Sequence, residues 1–377
     1  MTPEDILAEL VRFRSLVGQP NGDIVDWVAA YLGRFGVAAH VLPGPEGDRA
    51  NLFATIGARD APGLILSGHM DVVPAEEPDW TSDPFRLRAE GDRLFGRGAS
   101  DMKGFLAAVL AIVPALVASR LARPVHIAFS YDEEAGCRGV PHLIARLPEL
   151  CTRPAAAVIG EPSGLRPILA HKGKAAARVE IVGRPGHSSR PELALNAIHA
   201  MGSVIAATRA AALAAQQGPL DPIFEPPYST IQIGTIRGGG ALNIVPGRCT
   251  VELEARAIAG VSPEALLAPI RSAAEALRAD GYEVQWQPMA SYPALSLPAD
   301  APIALLLAEI TGTTPQAAVS YGTEAGRYQE AGIDAIICGP GDISRAHRPD
   351  EYVTRDELAT CTRMLERLCG RFAQDGA

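Results

Sequence analysis

Short apolar segments that alternate with helical segments constrain the fold of this chain more than any other feature. The apolar segments predict strands, because they are bounded by turn residues, and the longer segments between them have helical spacing. The predicted strands are 51–56, 64–67, 125–130, 156–159 and 335–338. The predicted helices are 3–13, 23–32, 103–119, 138–147, 302–311 and 357–372. Alternation of this kind is typical of an α/β domain, and we expect a central mixed sheet flanked by helices.

The middle of the chain has a different pattern, which begins at Gly173. It predicts, in order, the segments strand 174–182, helix 193–217, strands 229–236 and 248–256, helix 263–280 and strand 282–287. This is the order of a split βαβ, or ferredoxin-like, unit. We therefore expect a smaller α+β domain of residues 174–288, inserted into a catalytic domain that consists of 1–173 and 289–377.

Composition narrows the possible partners and the compartment. The net charge is −9, which argues against nucleic acid and anionic membranes as partners, since both attract clustered Lys and Arg. The N-terminus lacks the basic and apolar regions of a signal peptide, and the longest apolar run, 105–118, is too short to span a bilayer. The six cysteines are scattered without a CxxC pair, which predicts free thiols. We expect a soluble cytoplasmic protein.

Acidic and imidazole side chains collect at the predicted strand ends. Most of them lie just beyond the end of a predicted strand, and the remaining one opens a helix; they are His69, Asp101, Glu133, Glu134, Glu161 and His347. Sites in open α/β sheets form at the carboxyl edge of the strands. Imidazole together with carboxylates suits Zn²⁺, Co²⁺ or Mn²⁺, so the pattern predicts a metal centre.

Two local details refine this prediction. Asp71 lies two positions after His69, on the same side of an extended chain, where a carboxylate can accept the second N–H of a ligating imidazole. Glu133 and Glu134 are neighbours and point in different directions, so one can bind metal while the other carries a proton. We expect burial and like charge to raise the pKa of the proton carrier.

Several motifs resemble the M20 metallopeptidase and deacylase family, almost from end to end of the chain. They are Gly68–Pro74 (GHMDVVP), Gly96–Gly104 (GRGASDMKG), Asp132–Gly136 (DEEAG), Gly160–Pro162 (GEP), Gly186–Ser189 (GHSS) and Asn243–Pro246 (NIVP). The resemblance implies two divalent metal ions, Zn²⁺ or Co²⁺, bridged by Asp101. It implies that His69 and Glu161 complete one site. Glu134 and His347 would complete the other.

The resemblance also implies roles for residues outside the ligand set. Glu133 would be the general base and acid, and Asp71 would orient His69. The inserted domain would form a homodimer, across which His187 reaches the partner's active site to stabilise an oxyanion. Asn243 and Arg256 would bind the substrate, with Arg256 suited to its carboxylate. Glu324 is a further candidate on the substrate side.

Within the family, the segments 84–87, 228–230 and 318–353 are most similar to members that remove the acetyl group from N2-acetyl-L-ornithine. The implied reaction gives acetate and L-ornithine, a step of arginine biosynthesis. Other members act on succinyl-diaminopimelate, N-acyl amino acids, N-acetylcitrulline or dipeptides, and these substrates stay open. Thr323–Gly326 stands where the desuccinylases tend to carry Ser-Asp-Gly-Arg, which argues against that branch.

Two alternatives from other classes are weaker. A non-catalytic binding protein with the same fold is predicted to lack some metal-ligating residues or the general base. This sequence has a suitable residue at all of these positions. A nucleotide site at Gly238–Gly240 would need a GxGxxG turn after a strand or a P-loop lysine, and the sequence has neither.

Overall fold

The computed structural model describes residues 1–76, 78–119 and 121–374. Contacts divide the chain into two compact units. The first consists of residues 1–170, 296–317 and the chain from Thr323 onward, and the second consists of His171–Leu295 and Ala318–Gly322. The insertion expected from the sequence, 174–288, falls inside the second unit.

The described strands are, in chain order, β1 (Ala39–Pro43), β2 (Ala50–Ile56), β3 (Leu64–His69), β4 (Arg88–Glu90), β5 (Arg93–Phe95), β6 (Val125–Ser130), β7 (Ala156–Pro162), β8 (Ala170–His171), β9 (Gly173–Val182), β10 (Gly186–His187), β11 (Thr230–Gly238), β12 (Ile244–Val245), β13 (Arg248–Ala257), β14 (Glu283–Tyr292), β15 (Leu295–Ser296), β16 (Asp334–Gly339) and β17 (Tyr352–Thr354). The α-helices are α1 (Pro3–Arg12), α2 (Gly22–Gly33), α3 (Lys103–Ala118), α4 (Val140–Leu150), α5 (Ala197–Gln216), α6 (Pro263–Ala276), α7 (Pro302–Thr311), α8 (Ala325–Glu330) and α9 (Arg355–Gln374). Short 3₁₀ turns span Pro191–Leu193, Leu277–Asp280 and Ile343–Arg345.

The first unit is built on a six-stranded sheet in the order β1-β2-β6-β3-β7-β16. Strands β6, β3, β7 and β16 run parallel, whereas β1 and β2 are antiparallel to their neighbours. Helices α2, α3, α4, α7 and α8 pack against its strands. The prediction of a central mixed sheet flanked by helices is therefore confirmed.

The most buried helix of this unit is α3, which follows Asp101 and Met102. Leu106, Val109 and Leu110 are among its buried side chains, and they pack into the same core as the sheet. A helix that is apolar nearly all round must be covered on several sides, and α3 packs against both the sheet and helices α1 and α9. This burial anchors the loop that precedes α3.

Strands β3 and β7 extend beyond their predicted ends. They continue to His69 and Pro162, so that His69 and Glu161 are strand residues rather than loop residues. Strands β4, β5 and β17 form a separate three-stranded sheet that the sequence did not predict. Each has only three residues, which is too short for a recognisable alternation.

The second unit contains an antiparallel sheet in the order β11-β13-β9-β14, and helices α5 and α6 pack on it. In chain order its main elements are β9, α5, β11, β13, α6 and β14, as the sequence predicts. Strand β9 alternates as expected, with Val179 and Ile181 among its buried residues. These side chains join the helices in one apolar core.

Helix α5 begins at Ala197, later than the predicted Leu193. Asn196 is the reason, because its side chain accepts hydrogen bonds from the main-chain N–H groups of Ile198 and His199 and caps the helix. By length and composition α5 could cross a membrane. This is weak support for a membrane span, because Met201 and Val204 are buried in the core of its own unit.

Candidate metal centre

The candidate centre forms at the carboxyl edge of the parallel strands of the first unit. His69 is the last residue of β3, and Glu161 is the last but one of the neighbouring β7. Glu133 and Glu134 lie in the turn after β6, the other neighbour of β3. The sheet therefore brings together side chains that are far apart in sequence.

Asp101 lies between two histidines. His69 Nε2 is 3.1 Å from Asp101 Oδ1, and His347 Nε2 is 3.4 Å from Asp101 Oδ2. Each carboxylate oxygen thus faces a different imidazole. Glu134 Oε1 is 2.8 Å from His347 Nε2, and Glu161 Oε1 is 3.9 Å from His69 Nε2. The arrangement is two histidine–glutamate pairs that share one aspartate.

These donors fit divalent cations. Ligand atoms of His69, Asp101 and Glu134 lie within 4.8 Å of one another, as do those of His69, Glu133 and Glu161. Glu161 Oε1 is buried and has no hydrogen-bond partner among the described residues. A buried carboxylate oxygen without a partner is costly unless a cation or proton compensates it. The imidazole and carboxylate set matches the preferences of Zn²⁺ and Co²⁺.

The charges of the centre are unbalanced without cations. Burial raises the pKa of Glu161 well above its usual value, and the charges of Asp101 and Glu133 raise it further. Burial likewise raises the pKa of Glu133 well above normal, and the pKa of Glu134 is also raised. Like charges in a site of low dielectric oppose ionisation of all three carboxylates. Divalent cations would remove this penalty.

Asp71 connects the histidine of β3 to the two glutamates. Its carboxylate accepts hydrogen bonds from the main-chain N–H groups of Glu133 at 3.1 Å and Glu134 at 3.2 Å. His69 Nδ1 lies 3.5 Å from Asp71 Oδ1 but only 2.9 Å from the main-chain oxygen of Asp71. An acceptor at Nδ1 leaves Nε2 directed at the centre, as a ligand requires.

Glu133 is half-buried and has a neighbour that sequence reasoning missed. The Cys137 thiol donates to Glu133 Oε1 over 3.3 Å. The turn that joins them reverses the chain at Gly136, where φ is +97°. In the sequence the six cysteines are scattered, and the spacing between Glu133 and Cys137 carries no signal of this contact.

Glu324, the further candidate on the substrate side, is engaged with two serine hydroxyls. It is buried at the start of α8, and its two carboxylate oxygens accept hydrogen bonds from the hydroxyls of Ser67 and Ser130. Ser67 also contacts the hydroxyl of Tyr328. This buried polar cluster joins β3 and β6 through the Glu324 carboxylate. A substrate contact by Glu324 would need these bonds to open.

In the second unit, His187 and Asn243 lie close together. His187 is exposed in β10, which pairs with β12, and the main-chain oxygen of Asn243 accepts from Ser188 N. His187 Nδ1 accepts a hydrogen bond from Ser189 N at 3.1 Å. A neutral imidazole that accepts at Nδ1 carries its proton on Nε2, which is then a donor.

Arg256 lies on the sheet of the second unit, on strand β13. Its Nη1 donates to the Tyr292 hydroxyl over 3.1 Å, and its Nε lies 3.3 Å from Glu254 Oε1. The guanidinium is only partly exposed and is held in place by both partners. Tyr292 lies beyond the predicted strand 282–287, and no local pattern in the sequence links it to Arg256.

The chain matches known proteins over nearly its whole length. A sequence model of Peptidase family M20/M25/M40 matches residues 65–371. Acetylornithine deacetylase of Myxococcus xanthus is 35% identical over 374 residues, which cover 97% of this chain and 96% of the relative. The enzyme of the same name from Edwardsiella ictaluri is 33% identical, over 94% of this chain and 92% of its own.

Solved structures of the family share the fold. An M20 family metallo-carboxypeptidase from Sulfolobus solfataricus superposes with a TM-score of 0.81 at 19% identity, over 99% of this chain and 100% of its own. A dinuclear metal-binding M20 peptidase from Bacillus subtilis gives 0.65 at 16% identity, over 97% of both chains. The family resemblance predicted from the motifs is confirmed: the chain belongs to peptidase family M20.

Proposed function

We propose that this chain hydrolyses N2-acetyl-L-ornithine to acetate and L-ornithine, with two divalent cations, Zn²⁺ or Co²⁺, as cofactors. The observation that carries the proposal is Asp101, whose two carboxylate oxygens face His69 and His347 separately. The substrate is supported by relatives named acetylornithine deacetylase, which are 31–35% identical over nearly the full chain.

The ligands would be divided as the family resemblance implies. Asp101 would bridge both ions, with His69 and Glu161 completing one site and Glu134 and His347 the other. When bound, two such ions lower the pKa of a water molecule and polarise the acyl carbonyl.

Glu133 would move the protons of the reaction. Ligand atoms of His69, Glu133 and Glu161 lie within 4.8 Å of one another, so a water molecule held at the centre would lie within reach of the Glu133 carboxylate. It takes a proton from water as the water oxygen bonds to the acyl carbon. It then protonates the amine nitrogen as the C–N bond breaks, so the balance of the step is one water consumed and two products released.

The second unit would supply the oxyanion and carboxylate contacts. We assign His187 Nε2 as the donor to the developing oxyanion, acting across a homodimer, because Nδ1 is already occupied by Ser189. Arg256 would bind the substrate carboxylate with a planar pair of donors, and Asn243 would assist near His187.

We also assign the dimer contact to the second unit, as a ferredoxin-like dimerisation domain. Its outer strand β11 lies at the edge of the sheet, and Ile236 on it is 53% exposed. Ile205 and Leu213 on α5 are exposed as well. An unpaired edge strand beside exposed apolar side chains suits association with a second copy.

A cytoplasmic location agrees with the state of the cysteines. All six are free and buried. Reduced thiols are typical of cytoplasmic proteins. The acidic net charge of −9 argues against nucleic acid or an anionic membrane as partner.

A substrate panel tests the proposed reaction. The full chain, loaded with Zn²⁺ or Co²⁺, is assayed with N2-acetyl-L-ornithine, N-acetyl-L-citrulline, N-succinyl-L,L-diaminopimelate, N-acetyl-L-methionine and a dipeptide. We expect kcat/KM for acetylornithine to exceed that for every other substrate by at least about tenfold. A site that hydrogen-bonds its own substrate discriminates strongly against analogues that leave its polar groups unpaired. The Glu133→Gln protein, purified in parallel, controls for contaminating hydrolases. A higher kcat/KM for any other substrate would overturn the assignment.

A further inference from the structure

Glu351 is a buried carboxylate that belongs to none of the proposed ligand pairs. It is 1% exposed, and it lies four residues after His347 on the same loop. In the sequence it is one acidic residue in a polar loop, a kind of residue that is usually solvated. What the sequence does show is its position, four residues after the predicted metal ligand His347.

Both oxygens of Glu351 are used by the loop that carries Asp101. Oε1 accepts from the main-chain N–H groups of Ser100 at 2.9 Å and of Asp101 itself at 3.0 Å. Oε2 accepts from the N–H of Gly98 at 3.0 Å and from Arg97 Nη1 at 2.9 Å. Hydrogen bonds to a charged acceptor in a buried site are strong and directional.

A second contact joins the same two loops. The Ser100 hydroxyl accepts from the N–H of Asp342 at 3.2 Å. The segment 97–101, which presents Asp101, is therefore held against the segment 342–351, which presents His347. Because the two ligands lie on loops, their separation depends on these hydrogen bonds.

The other ligand pair has a different support. His69 and Glu161 lie in β3 and β7, and the main-chain ladders of the sheet hold these strands at fixed spacing. Removal of Glu351 would leave those ladders intact. The two halves of the centre therefore differ in what positions them: strands for His69 and Glu161, and a carboxylate between loops for Asp101 and His347.

We propose that Glu351 is a positioning residue that sets the distance between Asp101 and His347 and thereby the affinity of the cation site completed by Glu134 and His347. The proposal rests on the metal centre of the proposed function but not on its substrate. Its consequence is unequal for the two sites. Loss of Glu351 weakens the site completed by Glu134 and His347 about 10- to 100-fold, as expected for partners that orient ligands. The other site shares Asp101 and is weakened less, because its ligands His69 and Glu161 stay held by their strands.

The test is a Co²⁺ titration of the full chain after removal of metal by chelation, followed by visible absorption and calorimetry. His347→Ala identifies which of the two binding steps belongs to the Glu134 and His347 site. We expect Glu351→Gln to weaken that same step about 10- to 100-fold and to weaken the other step at least about threefold less. Glu4→Gln is the matched control, since Glu4 pairs with Arg355 outside the segments 97–101 and 342–351 and should leave both steps unchanged.

Equal weakening of both steps in Glu351→Gln, or no change in either, would overturn the proposal. If that variant does not fold, Ser100→Ala replaces it, because it removes only the Ser100–Asp342 contact. It is expected to weaken the His347 step by a few-fold, and unchanged binding would then count against the proposal. If the substrate panel fails, the Co²⁺ titration still tests the role of Glu351. A wild-type chain that binds no Co²⁺ would overturn both proposals.

Discussion

Glu134 and His347 are separated by 213 positions in the chain, yet Glu134 Oε1 and His347 Nε2 lie 2.8 Å apart. The His347 side chain is 49% exposed, whereas the His69 side chain is 1% exposed. The centre is therefore closed on the side of the sheet and open on the side of His347. In the proposed reaction, substrate and water would reach the centre from the side of His347.

Replacing Glu133 by Gln should abolish most turnover without removing the cofactor. The amide cannot accept a proton from water, so we expect kcat to fall about 100- to 10,000-fold. Metal analysis should find the same content as in the wild type, because Glu133 is not assigned to either ligand pair. Wild-type kcat in a metal-loaded variant would contradict the assigned role.

Hybrid dimers should reveal whether His187 acts across the dimer. One subunit carries Glu133→Gln, the other carries His187→Ala, and two different affinity tags allow the hybrid to be isolated. If His187 serves the partner's site, one of the two sites contains both intact residues, and activity should be about half that of the wild type. Activity as low as that of either homodimer would place His187 in its own subunit's site.

Arg256→Ala should weaken recognition of the substrate carboxylate. Loss of hydrogen bonds to a charged group predicts a decrease of about 10- to 100-fold in kcat/KM, mostly through KM. N-acetyl-1,4-diaminobutane, which lacks the carboxylate, should be hydrolysed equally slowly by the variant and the wild type. Tyr292→Phe removes one partner of Arg256 and should give a smaller effect in the same direction. An equal loss with both substrates would argue for a structural role.

Metal removal should destabilise the protein more at high pH than at low pH. Without cations, the pKa values of Glu133, Glu134 and Glu161 are raised by burial, so the folded chain binds their protons more tightly than the unfolded chain does. This stabilisation of the folded chain is present below the pKa of the carboxylates in the unfolded chain. It is lost as the pH rises through their raised pKa values in the folded chain. The difference in Tm between Zn²⁺-loaded and chelator-treated protein should be larger at pH 8 than at pH 6.

The variant Glu161→Gln provides the control, because it removes one of these charges. Its chelator-treated form should lose less stability between pH 6 and pH 8 than the chelator-treated wild type does. An equal difference in Tm at the two pH values would contradict the electrostatic account.

His126 should make folding sensitive to mild acid. It is buried against Phe53, and burial lowers its pKa to about 4. Between this value and the ordinary 6.5 the unfolded chain binds the proton and the folded chain does not, so stability falls as pH decreases. From pH 7 to pH 5 the loss amounts to about 2 kcal/mol. Urea unfolding should show this loss in the wild type and in His142→Gln, whose histidine is exposed, but not in His126→Gln.

Much of the fold could be predicted from local patterns. Strands β2, β3, β6 and β7 and helix α3 begin within a residue of their predicted positions, because apolar periodicity is a property of neighbouring residues. Two features of the fold that differ from the prediction do so because of a helix cap in one case and strand length in the other. The cap at Asn196 shifted the start of α5, and strands of three residues are too short to show a period.

The sequence by itself determined the family and the set of candidate ligands, because both depend on residue types in short motifs. The tertiary structure alone decided how buried polar groups are paired. Ser67 and Glu324 are 257 positions apart, and Ser100 and Glu351 are 251 apart, so no local pattern links them. A buried carboxylate must find its donors wherever the fold brings them, and that choice depends on packing over the whole first unit.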